Sequence, residues 1–140
     1  MPQQVIEIET RGPGLYEVTD AAQRFVRASG SDEGLLTCFV RHTSASVVIQ
    51  ENADPDVQLD LQAFFARLVP RSDDPSMSWL SHTTEGPDDM PAHIKSALTA
   101  SSVGVPVSGG RLMLGTWQGL YLFEHRDRPH TRQMVLHLSA

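Results

Sequence analysis

The spacing of apolar side chains along the chain changes several times, and each change predicts an element. Residues 4–9 (QVIEIE) mix apolar and acidic positions as a half-buried strand does. Gly12-Pro13-Gly14 is a turn signal, and residues 15–18 predict a second short strand. Thr19 or Asp20 offers a capping oxygen for a helix running to about Ser29. Ala22, Phe25, Val26 and Ala28 form its apolar side, and Gly30 is its stop. Two β-rich runs, 34–42 and 46–51, flank Thr43-Ser44-Ala45 and predict paired strands joined by a tight turn.

The clearest helix opens at Asp54, a capping residue, with Pro55 in the first helical position, where its missing N–H costs nothing. Val57, Leu61, Phe64, Phe65 and Leu68 recur at helical spacing and predict one core-facing side, ended by Pro70. Residues 71–78 are polar and predict a surface loop. Gly86-Pro87 precedes a further helix capped by Asp88 or Asp89, with Met90, Ile94, Ala97 and Leu98 on its buried side. Strand patterns return at 103–107, where Pro106 suggests an edge, then at 111–118, 119–125 and 133–138, with a charged loop over 126–132. Antiparallel sheets with two or three helices, in a compact α+β domain spanning residues 1–140, is the expected architecture.

Composition narrows the partners. At 140 residues, 40% hydrophobic and 20% charged, the chain has the make-up of one globular domain with a real core. No apolar run approaches the roughly 20 residues of a membrane span, and the start lacks the pattern of a secretion signal. One cysteine, Cys38, cannot form an internal disulfide and sits in an apolar run, so a cytoplasmic setting is expected and Cys38 is expected to be a buried small hydrophobe. The net charge is −6 and basic residues do not cluster, which argues against a nucleic-acid partner.

Candidate chemistry concentrates in residues 82–95 (HTTEGPDDMPAHIK). This stretch holds His82, Glu85, Asp88, Asp89, His93 and the lone lysine, Lys95. Asp89 and His93 are four apart and share a helix face, an arrangement that orients an imidazole for a metal or makes a surface pair. The spacing is not His-Glu-x-x-His, and no dinucleotide, Walker or Gly-x-Ser-x-Gly sequence occurs. His42 and Glu51 close the two strand runs before it. Three neutral imidazoles plus water would make an open zinc site, whereas carboxylates with retained waters would suit magnesium and a phosphorylated substrate. The residues alone leave both open. His125, His130 and His137 carry less weight.

Residues 41–55 (RHTSASVVIQENADP), 82–95 and 114–119 (LGTWQG) together resemble the YjbQ-like family, also described as secondary thiamine-phosphate synthase, in its order and spacing. The resemblance implies a homotrimer with a histidine-containing pocket between subunits. His42, His82 and His93 map to it as candidate ligands of a zinc-like ion or magnesium. Glu51, Glu85, Asp88 and Lys95 map as candidate catalytic groups. Asn52, Thr116 and Gln118 match further motif positions, and they are the expected substrate contacts together with Arg132 of the charged loop. The implied reaction joins an aminopyrimidine methyl diphosphate to a thiazole phosphate and releases diphosphate. Metal-assisted hydrolysis or transfer on a small phosphorylated metabolite, with Glu51 or Glu85 as base, is the alternative, and a non-catalytic metal or anion binder is the third. Many relatives read EFDGPR where this chain reads EHRDRPHTR at 124–132, so substrate preference at that loop is expected to differ.

Overall fold

A computed structural model describes residues 2–140. The chain runs β1 (Gln3–Thr10), β2 (Gly14–Glu17), α1 (Thr19–Ser29), β3 (Gly34–Val40), β4 (Ala45–Glu51), α2 (Pro55–Leu68), a 3₁₀ turn (Pro75–Met77), α3 (Asp89–Leu98), β5 (Ser102–Ser108), β6 (Arg111–Leu112), β7 (Gln118–Glu124) and β8 (His130–Ser139). Every strand pair is antiparallel. Five strands form one sheet in the order β1-β8-β3-β5-β6, and three form the other in the order β2-β7-β4. This is the expected compact α+β domain.

Side chains from both sheets meet in one core. Leu36, Cys38 and Val40 of β3, Met134, Leu136 and Leu138 of β8, and Val47, Leu120 and Leu122 of the smaller sheet join Ala22, Phe25 and Val26 of α1. On β8 the buried positions alternate strictly, as a strand with one covered face requires. β8 begins three residues before the expected 133, so the same alternation carries Arg132 to the inside. Glu124, in the buried central strand β7, meets it there. Burial alone would raise the Glu124 carboxyl; hydrogen bonds from Arg132, from Thr10 Oγ1 at 2.7 Å and from the Arg126 N–H at 3.1 Å hold it below its ordinary value instead. Arg132 also reaches Ser44 Oγ at 3.0 Å, which ties β8 to the start of β4.

The local signals have mixed outcomes. Asp54 caps α2 through the Asp56 N–H at 2.9 Å, and Gly30 ends α1 in the left-handed region. Thr19 does not cap α1: it is already helical, and its Oγ1 accepts the Leu120 N–H at 2.9 Å. β5 is not an edge, since it lies between β3 and the two-residue β6, which pairs only with Val107 and Ser108. Residues 113–117, expected in a strand, form an exposed turn held by Gln118 Oε1 on the Gly115 N–H at 2.7 Å. The apolar side of α2 is not core in this single chain: none of its residues is buried, and Phe64 and Leu68 are 57 and 52% exposed. Among the described residues, no helix is long and apolar enough to cross a membrane.

Candidate functional site

The first turn of α3 is where ionisable groups converge. Asp88 or Asp89 was expected to cap the helix, yet Asp88 makes no side-chain cap bond and Asp89 is already helical. Both carboxylates turn instead to Arg126, in the turn after β7. Its Nε donates to Asp88 Oδ2 at 2.8 Å and its Nη1 to Asp89 Oδ1 at 2.7 Å, while Nη2 reaches the Glu85 carbonyl at 3.2 Å. Asp88 Oδ2 also accepts the Asp127 N–H at 2.9 Å. Burial opposes ionisation of both aspartates. Arg126 holds Asp88 below the ordinary carboxylate range, and the imidazole of His82 leads in doing so for Asp89.

Asp89 is buried, and its second oxygen faces two imidazoles. His82 Nε2 lies 2.8 Å and His93 Nε2 lies 3.3 Å from Asp89 Oδ2. His82 Nε2 also lies 3.1 Å from Glu85 Oε2, and these hydrogen bonds, the one to Asp89 first, raise its pKa. The His93 ring is fixed from behind, with Nδ1 2.9 Å from the Thr43 carbonyl. A carbonyl oxygen only accepts, so Nδ1 carries the hydrogen and a neutral His93 presents a bare Nε2 lone pair to a carboxylate. Two acceptors at 3.3 Å repel unless a cation mediates between them, either a proton on Nε2 or a metal ion. His82, Asp89 and His93 each present a ligand atom, all within 4.8 Å of one another. Separations of 2.8 and 3.3 Å approach the edges of about 3.3 Å between donors bound roughly 2.0–2.1 Å from zinc. A backbone carbonyl behind the ring is the usual outer partner of a metal-bound histidine. The donor set fits a zinc-like ion, with Glu85 beside it.

His42 is next to this cluster but does not join it as a ligand. Its Nε2 accepts the Gln133 N–H at 2.8 Å, which engages the one lone pair of a neutral imidazole. Burial and then Arg132 lower its pKa, so the ring stays neutral. His42 and His93 do line a common groove of about 290 Å³ with Thr43, Ala45, Ser96 and Ser101. Among the described residues, the buried Ser96 Oγ has no hydrogen-bond partner.

The other expected residues lie elsewhere. Glu51 Oε2 accepts the N–H groups of Ala53 and Asp54 at 3.2 and 2.9 Å, and Asn52 Nδ2 approaches Glu17 Oε2 at 3.4 Å. Thr116 and Gln118 sit beside them in the exposed turn. Glu51 pairs with Gln118 at one end of the β4–β7 ladder, whereas Ala45 pairs with Glu124 at the end near His93. The two ends are about 20 Å apart at roughly 3.3 Å per residue. Arg132 was expected on substrate, but its guanidinium is buried against Glu124 and Ser44. Lys95 lines a different cavity, described below, and desolvation lowers its pKa. Asp89 and Arg126 complete the cluster: Asp89 was noted as sharing a helix face with His93 but not named as a metal ligand, and Arg126 was missed. The Asp89-x-x-x-His93 spacing was the available signal for the first, and nothing local marks the second.

The family profile described as UPF0047 protein YjbQ-like matches residues 4–140. The chain belongs to the UPF0047 (YjbQ-like) family. Within that family, UPF0047 protein sll1880 of Synechocystis is 53% identical over 138 residues, covering 99% of this chain and 91% of that protein. UPF0047 protein YjbQ of Escherichia coli O157:H7 is 37% identical over 139 residues, covering 99% of this chain and 97% of that protein. A YjbQ/UPF0047 family protein from Clostridium acetobutylicum has a crystal structure that superposes with a TM-score of 0.83 at 30% identity, covering 99% of this chain and 100% of the other. The hypothetical protein APE1520 from Aeropyrum pernix K1 superposes with a TM-score of 0.87 at 28% identity, covering 100% of this chain and 99% of the other.

Proposed function

We propose that this UPF0047 protein is a metal-dependent enzyme acting on a small phosphorylated metabolite by hydrolysis or group transfer. His82, Asp89 and His93 hold one zinc-like divalent ion. The observation that carries this reading is the His93 ring, whose Nδ1 is fixed on the Thr43 carbonyl while Nε2 faces the Asp89 carboxylate at 3.3 Å. When bound, such an ion supplies Lewis acidity and lowers the pKa of a bound water.

The protein's own groups have distinct parts. Arg126 neutralises Asp88 and the far oxygen of Asp89, which keeps the near oxygen aimed at the two imidazoles. Glu85, exposed and 3.1 Å from His82 Nε2, is placed to accept a proton at the rim as general base. The groove between His42 and His93 receives the reacting end of the substrate, where Ser96 Oγ has a hydrogen bond to offer.

The thiamine-phosphate synthase reaction draws support from a separate feature. A polar groove of about 340 Å³ lies against Glu85 and Asp88 and is lined by Arg71, Arg126 and Arg128. Arg71 is paired with Asp127 and Arg126 with Asp88 and Asp89, so the counter-charge for a departing diphosphate would come from Arg128, which among the described residues takes part in no ion pair. On this second reading the metal is magnesium, and coupling of the two phosphorylated rings is an activity of the same region. Homotrimer assembly belongs to the proposal too: Phe64 and Leu68 leave α2 with an uncovered apolar side, and a second copy would bury it.

The test is turnover of p-nitrophenyl phosphate and of the two synthase substrates by zinc-loaded, magnesium-loaded and metal-stripped protein. The proposal expects phosphate release with zinc and its loss on stripping. It also expects Glu85→Gln to lower kcat while metal content is unchanged. Zinc-independent coupling of the synthase substrates would select the second reading, and no turnover with any metal would leave a non-catalytic binder.

A further inference from the structure

Lys95 lines a separate cavity, which shares Arg71 and Asp127 with the polar groove against Glu85 and Asp88. This space, about 430 Å³, lies between α2, α3 and the end of β7. Its walls are mainly apolar: Leu59, Ala63, Phe65 and Ala66 from α2, Val69, and Phe123 from β7. Phe65 and Phe123 meet edge to face at 5.3 Å, and Phe123 packs on the His125 ring at 4.4 Å. The volume falls in the roughly 300–1,000 Å³ range of small-molecule sites, which are apolar with a few convergent polar groups.

The charges around this cavity leave one cation unbalanced. Arg71 pairs with Asp127 at 2.8 Å, and Glu124 is held by Arg132. His125 is neutral: burial pushes its pKa down to about 3, and Nε2 shares a hydrogen bond with Ser46 Oγ at 2.9 Å. Lys95 is half-buried and, among the described residues, takes part in no ion pair and no side-chain hydrogen bond through its amine. An ammonium withdrawn from water without a partner is costly, and an anion entering the cavity would offset that cost.

We propose that this cavity binds a small carboxylate with an apolar body, its headgroup on Lys95 and its body between Phe65, Ala66 and Phe123. One free positive charge matches a monoanion. A phosphate dianion would need a second free cation, and Arg71 is already engaged by Asp127. None of the residues lining the cavity bonds to His82, Asp89 or His93 through its side chain, so the inference stands apart from the metal reading.

The test uses octanoate, octanol and octylamine as probes, titrated into the full chain in the presence of EDTA and followed by calorimetry and by amide shifts in ¹H–¹⁵N spectra. Octanoate should bind saturably, one per chain, with the largest shifts at Phe65, Ala66, Lys95 and Phe123. Octanol should bind more weakly and octylamine not at all. Lys95→Met should weaken octanoate roughly tenfold or more and leave octanol unchanged. Ala66→Leu, an exposed helix position that tolerates leucine, should weaken both by filling the space. Equal binding of octanoate and octanol, shifts confined to other surfaces, or no binding by the wild-type chain would each overturn the proposal.

Discussion

The two ends of the β4–β7 ladder carry the same kinds of residue and behave differently. At the Ala45–Glu124 end, charged groups are inside: Glu124 and Arg132 are buried and bonded to each other, and nearby Asp89 is buried between Arg126 and two histidines. At the Glu51–Gln118 end, Glu51 holds the approach to α2, Asn52 reaches Glu17, and Thr116, Trp117 and Gln118 are exposed. At Gly119 in this second end, a Cβ would lie 2.7 Å from Glu17 Oε2, and the carboxylate end of Glu17 would have to shift to admit it. Motif residues are dense at both ends. Only the first removes ionisable groups from water, which costs stability and so calls for a compensating use. The second end makes turns, and in a single chain it is too far from His93 to share a substrate.

Breaking the closed end should have the largest effect. Arg132→Met strands the Glu124 carboxylate in the core, and about 3–5 kcal/mol of unfolding free energy should be lost in urea titrations. Pairing it with Glu124→Gln should restore part of that loss, because no bare charge remains. A full loss in the double variant would show that packing, and not the buried charge, sets the cost.

Acid probes the same region through His125. Its folded pKa, about 3, lies below an ordinary histidine value, so the unfolded chain takes up a proton first as pH falls. Stability is therefore complete above about pH 6.5 and declines as pH drops toward the folded value, by roughly 2–3 kcal/mol between pH 6.5 and 4.5. The neutral, half-buried His42 adds to the decline with the same sign. His125→Asn should flatten most of that slope in denaturation series, and an unchanged slope would move the acid sensitivity elsewhere.

A third variant separates function from folding at this end. Asp89→Asn keeps the side chain's shape and should weaken zinc binding by on the order of 100-fold or more, with the far-ultraviolet spectrum retained. At the open end, Glu51→Ala removes a carboxylate that accepts two backbone N–H groups. It should cost roughly 0.5–1 kcal/mol and leave metal content untouched. A metal loss in that variant would bring the two ends into one site, as a shared pocket between copies would do.

The sequence exposed the architecture well because hydrophobic period and turn residues are local. Asp54-Pro55 and Gly30 announced helix ends that the structure keeps. The site was half legible. Glu85, His82 and His93 lie together as their clustering suggested, but Asp88 and Asp89 looked like helix caps, since a capping carboxylate and a ligand carboxylate are the same residue type at the same position. What distinguishes them is Arg126, 37 residues away from Asp89 and brought in by β7. Arg132 was misplaced because its role depends on where β8 begins, and strand boundaries are poorly marked in a charged segment. His42 had the right neighbourhood but not a free nitrogen, a matter of one backbone N–H from β8.

Metal content of tag-free protein tests the central claim most directly, measured beside His42→Ala, His82→Ala, Asp89→Asn and His93→Ala. About one zinc-like ion per chain is expected, lost from the last three variants and kept by His42→Ala. Metal retained in Asp89→Asn and lost from His42→Ala would contradict the assignment and return the site to a three-histidine arrangement that this single chain does not form.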